Sequence, residues 1–418
     1  MTSRTRVGLV IAGCAVCQMG LGFTYLFDTY LREITAEFGW TRASFSAAHA
    51  SRLVALALAS PLAGWATERL GPRAVLGTGL VVLGTVGLTY GRIDALWQLW
   101  PLSLAIGLVM AALGDVAVAS VVSRWVERRR GLALGLVYSG SNIGGMIAVL
   151  ASAEIVERAG WRASPLILVA GGSFALLPFV LWAVRMPDRP STEHERGDEP
   201  SLAMDPSGSL DLRAAIRTRS FWLLFAALTT FYFYYIAILD HLVALLQDVG
   251  LSRSAASQAF GMTILLGVAS KLGIGVVFDR FSARVGLLVN FAVLAVASVL
   301  LVQVPAPGVL PVFVILHGAA VAAQNVTYPM VVAHCFGSLH VARIYGVLML
   351  ALMCGGLTGS VLAGRVFDQV GSYRPALVLF ALLNVASLGL LAFVRRETGV
   401  VQESRLARRA SAGPTAPQ

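Results

Sequence analysis

Twelve stretches of about 20 predominantly apolar residues recur along this chain, each long enough to cross a hydrocarbon core of about 30 Å at about 1.5 Å per residue. They lie approximately at 7–30, 44–66, 74–90, 96–122, 131–153, 163–185, 220–246, 255–278, 285–304, 309–333, 343–366 and 374–394. None alternates apolar with polar residues, and a closed barrel would need segments of roughly 10 residues with a dyad repeat. The spans are therefore read as helices. With 57% hydrophobic and 13% charged residues, the chain is composed for lipid rather than water.

The first run follows MTSRTR but is long, contains Asp28 and lacks a small-residue cleavage site, so it reads as a span and not as a cleaved leader. Arginine placement orients the chain: with the N-terminus inside, the outward loops hold only Arg32, Arg42, Arg92, Arg158, Arg162, Arg253 and Arg374, while arginine crowds the opposite side. The positive-inside rule then places both termini in the cytoplasm of a multi-pass cell-membrane protein. The net charge of +10 is read as a topology signal, with no nucleic-acid partner. Cys14 and Cys17 share a C-x-x-C spacing, yet in mid-span and without a second ligand pair they read as packing residues.

The chain repeats itself. GWATERLGPR (64–73) and GVVFDRFSAR (275–284) place a glycine, an acid and two arginines at the same spacings, 211 residues apart. The same shift sets Gly39 on Gly250, Arg42 on Arg253, Ser46 on Ser257, Gly144 on Gly355, Glu157 on Asp368 and Gly160 on Gly371. The expected domains are a six-helix bundle at 1–185, a cytoplasmic linker with an amphipathic helix at 186–219, a second bundle at 220–394 and a cytoplasmic tail at 395–418. Two parallel six-span halves are the arrangement of transporters that rock about a central site.

On these residues the chain resembles a major facilitator superfamily transporter over essentially its whole membrane part. The resemblance implies an all-α integral membrane fold of twelve transmembrane helices in two pseudo-symmetric six-helix bundles. FGWTRA (38–43), RWVERRRGLALG (124–135), HLVALLQDVGLS (241–252) and AGRVFDQVGSY (363–373) resemble the bacterial relatives of monocarboxylate porters and oxalate/formate exchangers. The charged repeat resembles the superfamily's loop between helices 2 and 3, with Glu68 where aspartate is usual. It implies a cytoplasmic gate of Gly64, Glu68, Arg69, Arg73, Asp279, Arg280 and Arg284; an ordinary positive-inside loop would explain the arginines but not the repeated acid.

Ionisable groups inside spans are expensive and face a cavity or each other. Here they are Asp28, His49, Arg52, Asp115, Asp240, His241, Lys271 and His317, joined by Gln324 and Asn325, while spans 3, 6, 9 and 12 carry no interior charge and read as a lipid-facing layer. Glycines 131, 135, 140 and 144 in span 5, and 355, 359 and 364 in span 11, are expected to allow close helix approach. Asp28 and Arg52 each lie twelve residues from Trp40, which sets them at equal depth: they form an ion pair, or each points separately into a vestibule. Lys271, the only lysine, lies about 12 Å from the end of its helix, and Asp115 about 14 Å from the same face.

Lys271 is expected to anchor a substrate carboxylate, with a salt bridge to Asp115 as the alternative. The resemblance adds weight, since monocarboxylate-type porters carry a cation in helix 8; the acid often found four residues earlier is Gly267 here. Proton coupling is then expected from Asp115, Asp240 or Asp28. His241 hydrogen-bonds substrate, relays a proton or fixes its helix end; FYFYY (231–235) supplies an aromatic wall; Tyr138, Asn142, Gln324 and Asn325 are polar lining.

The leading expectation is a monomeric secondary transporter of a small, monocarboxylate-like organic anion with protons, embedded among membrane lipids. The alternative is proton-driven export of a larger amphipathic or cationic compound, which the acids at 28, 115 and 240 would favour. An enzyme or sensor is not expected: no cofactor is implied, His334, Cys335 and His340 lack an accompanying acid for a metal, and no P-loop points to ATP.

Overall fold

The computed structural model describes residues 3–126, 130–184, 209–304, 306–337 and 340–398; within these, the side chains of Glu68, Asp115, Lys271, Asp279 and Asn325 lie outside the described residues. Helices follow the apolar runs. α1 is built from Ser3–Gly22, a 3-10 stretch Phe23–Tyr30 and Leu31–Phe38. α2 is Arg42–Leu70, α3 Pro72–Tyr90, and α4 Leu99–Leu113 continued by Asp115–Trp125. α5 is Arg130–Ala159, and α6 a π stretch Pro165–Gly171 followed by Gly172–Ala183. After a short connector helix, Leu212–Ile216, come α7 Arg219–Asp248, α8 Arg253–Arg280, α9 Ala283–Val302 and α10 Val309–Phe336. α11 joins Val341–Leu348, a π stretch Leu352–Gly356 and Leu357–Val370, and α12 is Arg374–Leu391.

Among the described residues, nine helices are long and apolar enough to cross a membrane, and α10 makes a tenth as a span bent by 46° between Gln324 and Thr327. α2 and α8 are not among them; α2 carries His49 and Arg52, and α8 carries Lys271. The turns are set locally. Thr41 caps α2 by accepting from the Ser44 N–H at 3.1 Å, and Thr218 caps α7 by accepting from the Phe221 N–H at 3.2 Å. Gly39 and Gly250, repeat partners, both turn their hairpins at positive φ, 67° and 99°, where a Cβ would be strained.

Packing obeys the repeat. Within one half α1 lies on α5 and α2 on α4; within the other α7 lies on α11 and α8 on α10. Across the halves α2 packs on α11 and α5 on α8. Exchanging the halves turns one cross-pair into the other, which is what a pseudo-twofold requires. The apolar core accordingly falls mainly into two large clusters, one built almost wholly from the first half but taking in Ala244, the other from the second but taking in Leu53 and Val149, with a small third cluster of Ala59, Ala63 and Ala111 between α2 and α4.

Small residues set the closest contacts. A Cβ on Gly144 would run into the Met19 backbone of α1, and one on Gly359 into the Phe233 carbonyl of α7. Gly364 instead abuts Ala43 of the opposite half, and Gly135 faces open space, so it is not a packing glycine; Gly131 lies outside the described side chains. With so little hydrophobic drive between helices in lipid, these approaches carry the packing. Gly144→Leu is expected to cost at least about 1–3 kcal/mol of overpacking, read as a lower melting temperature of the purified protein, whereas Gly135→Leu should leave it unchanged.

Candidate functional site

One guanidinium joins the two halves in the interior. α2 presents His49 and Arg52, one turn apart on one face. Arg52 Nη1 donates to Asp28 Oδ1 of α1 at 2.6 Å, and Nη2 donates to Asp240 Oδ1 of α7 at 2.6 Å. His49 Nε2 also lies 2.6 Å from Asp28 Oδ1, and Ser360 Oγ of α11 donates to Asp240 Oδ2 at 2.5 Å. All five side chains are buried. Two carboxylates therefore share one fixed cation, and with His49 neutral the cluster is short of one positive charge. Ligand atoms of Asp28, His49 and Asp240 lie within 4.8 Å of one another, a set able to hold a metal ion, but Arg52 already bridges the two acids.

Toward the hairpin ends of α1 and α2 a second layer closes the halves together. Arg42 donates to Asp248 Oδ2 at 2.5 Å and to the Tyr373 hydroxyl at 2.6 Å, and lies 3.5 Å from the Phe367 ring centroid. The first N–H groups of α2, from Arg42 and Ala43, donate to the two Asp368 oxygens at 2.9 Å each, so an acid of one half caps a helix of the other. Its repeat partner Arg253 donates to Glu33 and to the Thr29 carbonyl. His241 connects the two layers: Nε2 lies 3.0 Å from the Ser360 carbonyl and from Ser46 Oγ, and Nδ1 2.9 Å from the Tyr373 hydroxyl. With Nε2–H donating to the carbonyl, Nδ1 accepts from Tyr373.

A small cavity of about 80 Å³ lies between the halves, lined from α1, α5, α7, α8 and α10. Tyr25, Phe231, Tyr232, Tyr235 and Phe260 give it aromatic walls; Asn142, Thr263 and His317 give it polarity. Asn142 Nδ2 donates to the Ile264 carbonyl at 2.7 Å, and Tyr234 holds His317 through Nδ1 at 2.7 Å. Gly267 also lines it, and a Cβ there would come within 2.7 Å of Asn142 Nδ2 and 3.0 Å of Ala322 Cβ. The position where the resemblance leads one to look for an acid is thus filled by an amide from α5.

Of the residues singled out in the sequence, Asn142 lines this cavity and three of the FYFYY rings wall it. His241 does not; it lies in the interhalf contact above, because its ring is held by Ser46, Ser360 and Tyr373. Tyr138 is half-buried against the N-terminal core, and Gln324 is buried with neither amide atom partnered. Lys271 falls one turn beyond Gly267 along α8, and Asn325 one turn beyond Val321 along α10; the side chains of both, and of Asp115, lie outside the described residues. At the proposed gate Arg69, Arg73, Arg280 and Arg284 are exposed and Gly64 half-buried, with Glu68 and Asp279 outside the described side chains. Among the described residues these arginines form no ion pair; Arg69 stacks on Trp65 and Arg284 donates to the Ala392 carbonyl. Sequence reasoning passed over Arg42, Arg253, Asp248, Glu33 and Tyr373 as a closure, although two repeat-related arginines on the arginine-poor side were a usable signal.

Paired helices, mirrored halves and ionised residues held at the seam define a multi-pass membrane protein of the transporter type. Residues 11–310 and 241–415 match the family described as the Major Facilitator Superfamily, and the chain belongs to it. It is 22% identical over 392 residues to the oxalate:formate antiporter of Oxalobacter formigenes, covering 92% of this chain and 90% of that one. It is 25% identical over 397 residues to monocarboxylate transporter 13 of Bos taurus, covering 92% and 88%. Among solved structures, a bacterial homolog of the human lysosomal transporter Spinster, inward-facing and occupied, superposes with a TM-score of 0.72 at 14% identity, covering 92% of this chain and 96% of that one.

Removing the shared cation is the sharpest test of the cluster. Arg52→Gln leaves two buried carboxylates uncompensated and is expected to cost about 3–5 kcal/mol. Asp240→Asn in the same chain should recover part of it. Thermal unfolding of the two single variants and the double variant, read as a cycle, checks the coupling.

Proposed function

We propose that the protein is a secondary active transporter of a small, monocarboxylate-like organic anion, coupled to protons and working by rocking its two halves. The observation that carries this reading is Arg52 held between Asp28 and Asp240, one acid from each half, beside an aromatic-walled cavity. The relatives named for oxalate, formate and monocarboxylates support the substrate class. With Tyr234 donating to Nδ1, His317 presents Nε2–H, which can then hold a carboxylate while the rings pack its body. Lys271, one turn along the same face of α8 as Gly267, supplies the cation that fixes it.

Coupling follows from charge. The contacts of Arg42, Arg253 and Arg52 across the halves make this the state closed on their side. Opening that side draws Asp240 away from Arg52, and a buried carboxylate without its cation is neutralised by a proton. Closing over bound anion returns the guanidinium and expels the proton toward the other face. Export of a cationic compound is the weaker reading, because Asp28 and Asp240, which would attract a cation, are already engaged by Arg52.

Proteoliposomes offered a panel of labelled mono- and dicarboxylates, with and without a pH gradient, test the proposal: accumulation of at least one monocarboxylate should rise with the gradient. No gradient-dependent uptake of any would overturn it. Lys271→Gln is expected to lose about 1.5–3 kcal/mol of contact to the carboxylate, roughly 10–100-fold in apparent affinity. Asp240→Asn should keep substrate exchange while abolishing gradient-driven accumulation, and Arg213→Gln on the connector should change neither.

A further inference from the structure

At the end of the molecule opposite the Arg42 closure, the C-terminal half carries another cavity, about 240 Å³. It lies where the start of α9, the end of α10 and the segment after α12 meet, and Arg284, Arg395, Arg396 and His334 line it over a floor of Val331 and Cys335. The three arginines are exposed and their ties are partial. Arg284 donates to the Ala392 carbonyl, Arg396 Nε donates to Thr398 Oγ1 at 2.9 Å, and Arg395 Nε stands 3.9 Å from Glu397 Oε1. Glu397, the one carboxylate paired with any of them among the described residues, is buried and accepts from Ser220 Oγ at 2.5 Å. Three guanidinium groups thus line one hollow, and among the described residues a single acid, Glu397, pairs with one of them at 3.9 Å.

The surroundings name the ligand's other half. Phe281, Trp222 and Phe393 are exposed around this end, with Arg219 stacked 5.3 Å from the Phe393 ring centroid. Exposed aromatic rings with arginine beside them mark the level of lipid headgroups. Just beyond, α9 exposes Val285 and Val289, and α12, packed beside it, exposes Leu382, Val385 and Leu390, apolar side chains suited to acyl chains. A free polar anion would use the hollow and leave that surface to bulk lipid; a phospholipid uses both. Planar guanidinium forks match phosphate oxygens bidentately, and basic hollows between helix ends suit anionic headgroups.

We infer that this hollow is a binding site for the phosphate headgroup of an anionic phospholipid, with its chains lying on α9 and α12. Occupancy pins the end of α12 to α9 and α10, so the lipid stabilises the C-terminal half whichever substrate the protein carries.

Delipidated protein in neutral detergent, with thermal unfolding as the readout, tests this. Phosphatidylglycerol is expected to raise the melting temperature by several degrees, and phosphatidylcholine and millimolar inorganic phosphate to leave it near its starting value. Arg395→Gln with Arg396→Gln should remove at least half of the phosphatidylglycerol shift, and Arg213→Gln with Arg217→Gln on the connector should retain it. An equal shift with phosphatidylcholine, or a full shift with inorganic phosphate alone, overturns the lipid assignment, as does an undiminished shift in the Arg395/Arg396 variant. The comparison of lipids on the unaltered protein decides the matter even if that variant does not fold.

Discussion

Two carboxylates and one guanidinium, buried between bundles that share no covalent link at that depth, set the terms for the rest of this molecule. In lipid a charge without a partner is costly, so Arg52 ties α1, α2 and α7 to one another, and Ser360 adds α11 to the same constraint. Asp28 and Arg52 belong to one bundle and Asp240 to the other. The bond most easily lost when the bundles separate is therefore the one that leaves a lone acid behind. A hydrophobic seam of the same area would hold the halves without making their separation sensitive to anything in solution.

The outer layer shows how duplication builds a clamp from one device used twice. Arg42 and Arg253 occupy equivalent positions after equivalent hairpins, and each reaches an acid at the end of the other half's first helix, Asp248 or Glu33. The acids are not equivalent by the 211-residue shift: Asp248 corresponds to Glu37, which is engaged instead by Trp161 and Arg162. Each arginine has kept its role while its partner has drifted by one helical turn. That drift is tolerable because a long guanidinium side chain reaches either turn of a neighbouring helix.

The helices and the duplication were legible in the sequence for simple reasons. An apolar run has few ways to be stable in lipid, and a repeat leaves glycines at the same strained turns, as Gly39 and Gly250 demonstrate. Equal counting from Trp40 placed Asp28 level with Arg52, and the two do touch. Asp240 as the third member was out of reach, since shift arithmetic says which residues are equivalent and not which ones meet across the pseudo-twofold. His241 was ambiguous for the same reason, and only its three partners reveal that it belongs to the interhalf contact. Local departures such as the 3-10 stretch at Phe23–Tyr30, which sets Asp28, leave no trace in hydropathy.

Gly267 carries the final consequence. The resemblance to monocarboxylate porters leads one to look for an acid at this position, which lines the cavity. Here Asn142 fills that space, and the acids described sit at the seam of α1, α2 and α7 instead. None of the cluster residues lines the cavity. Under the coupling proposed above, proton and anion therefore never share a contact, and each senses the other only through whether the halves are together or apart. Coupling of that kind depends on the rigidity of the bundles between the two levels. Under that proposal the tight α1–α5 and α7–α11 approaches at Gly144 and Gly359 would supply it, making the displacement of Asp240 from Arg52 and the uncovering of the cavity parts of a single motion.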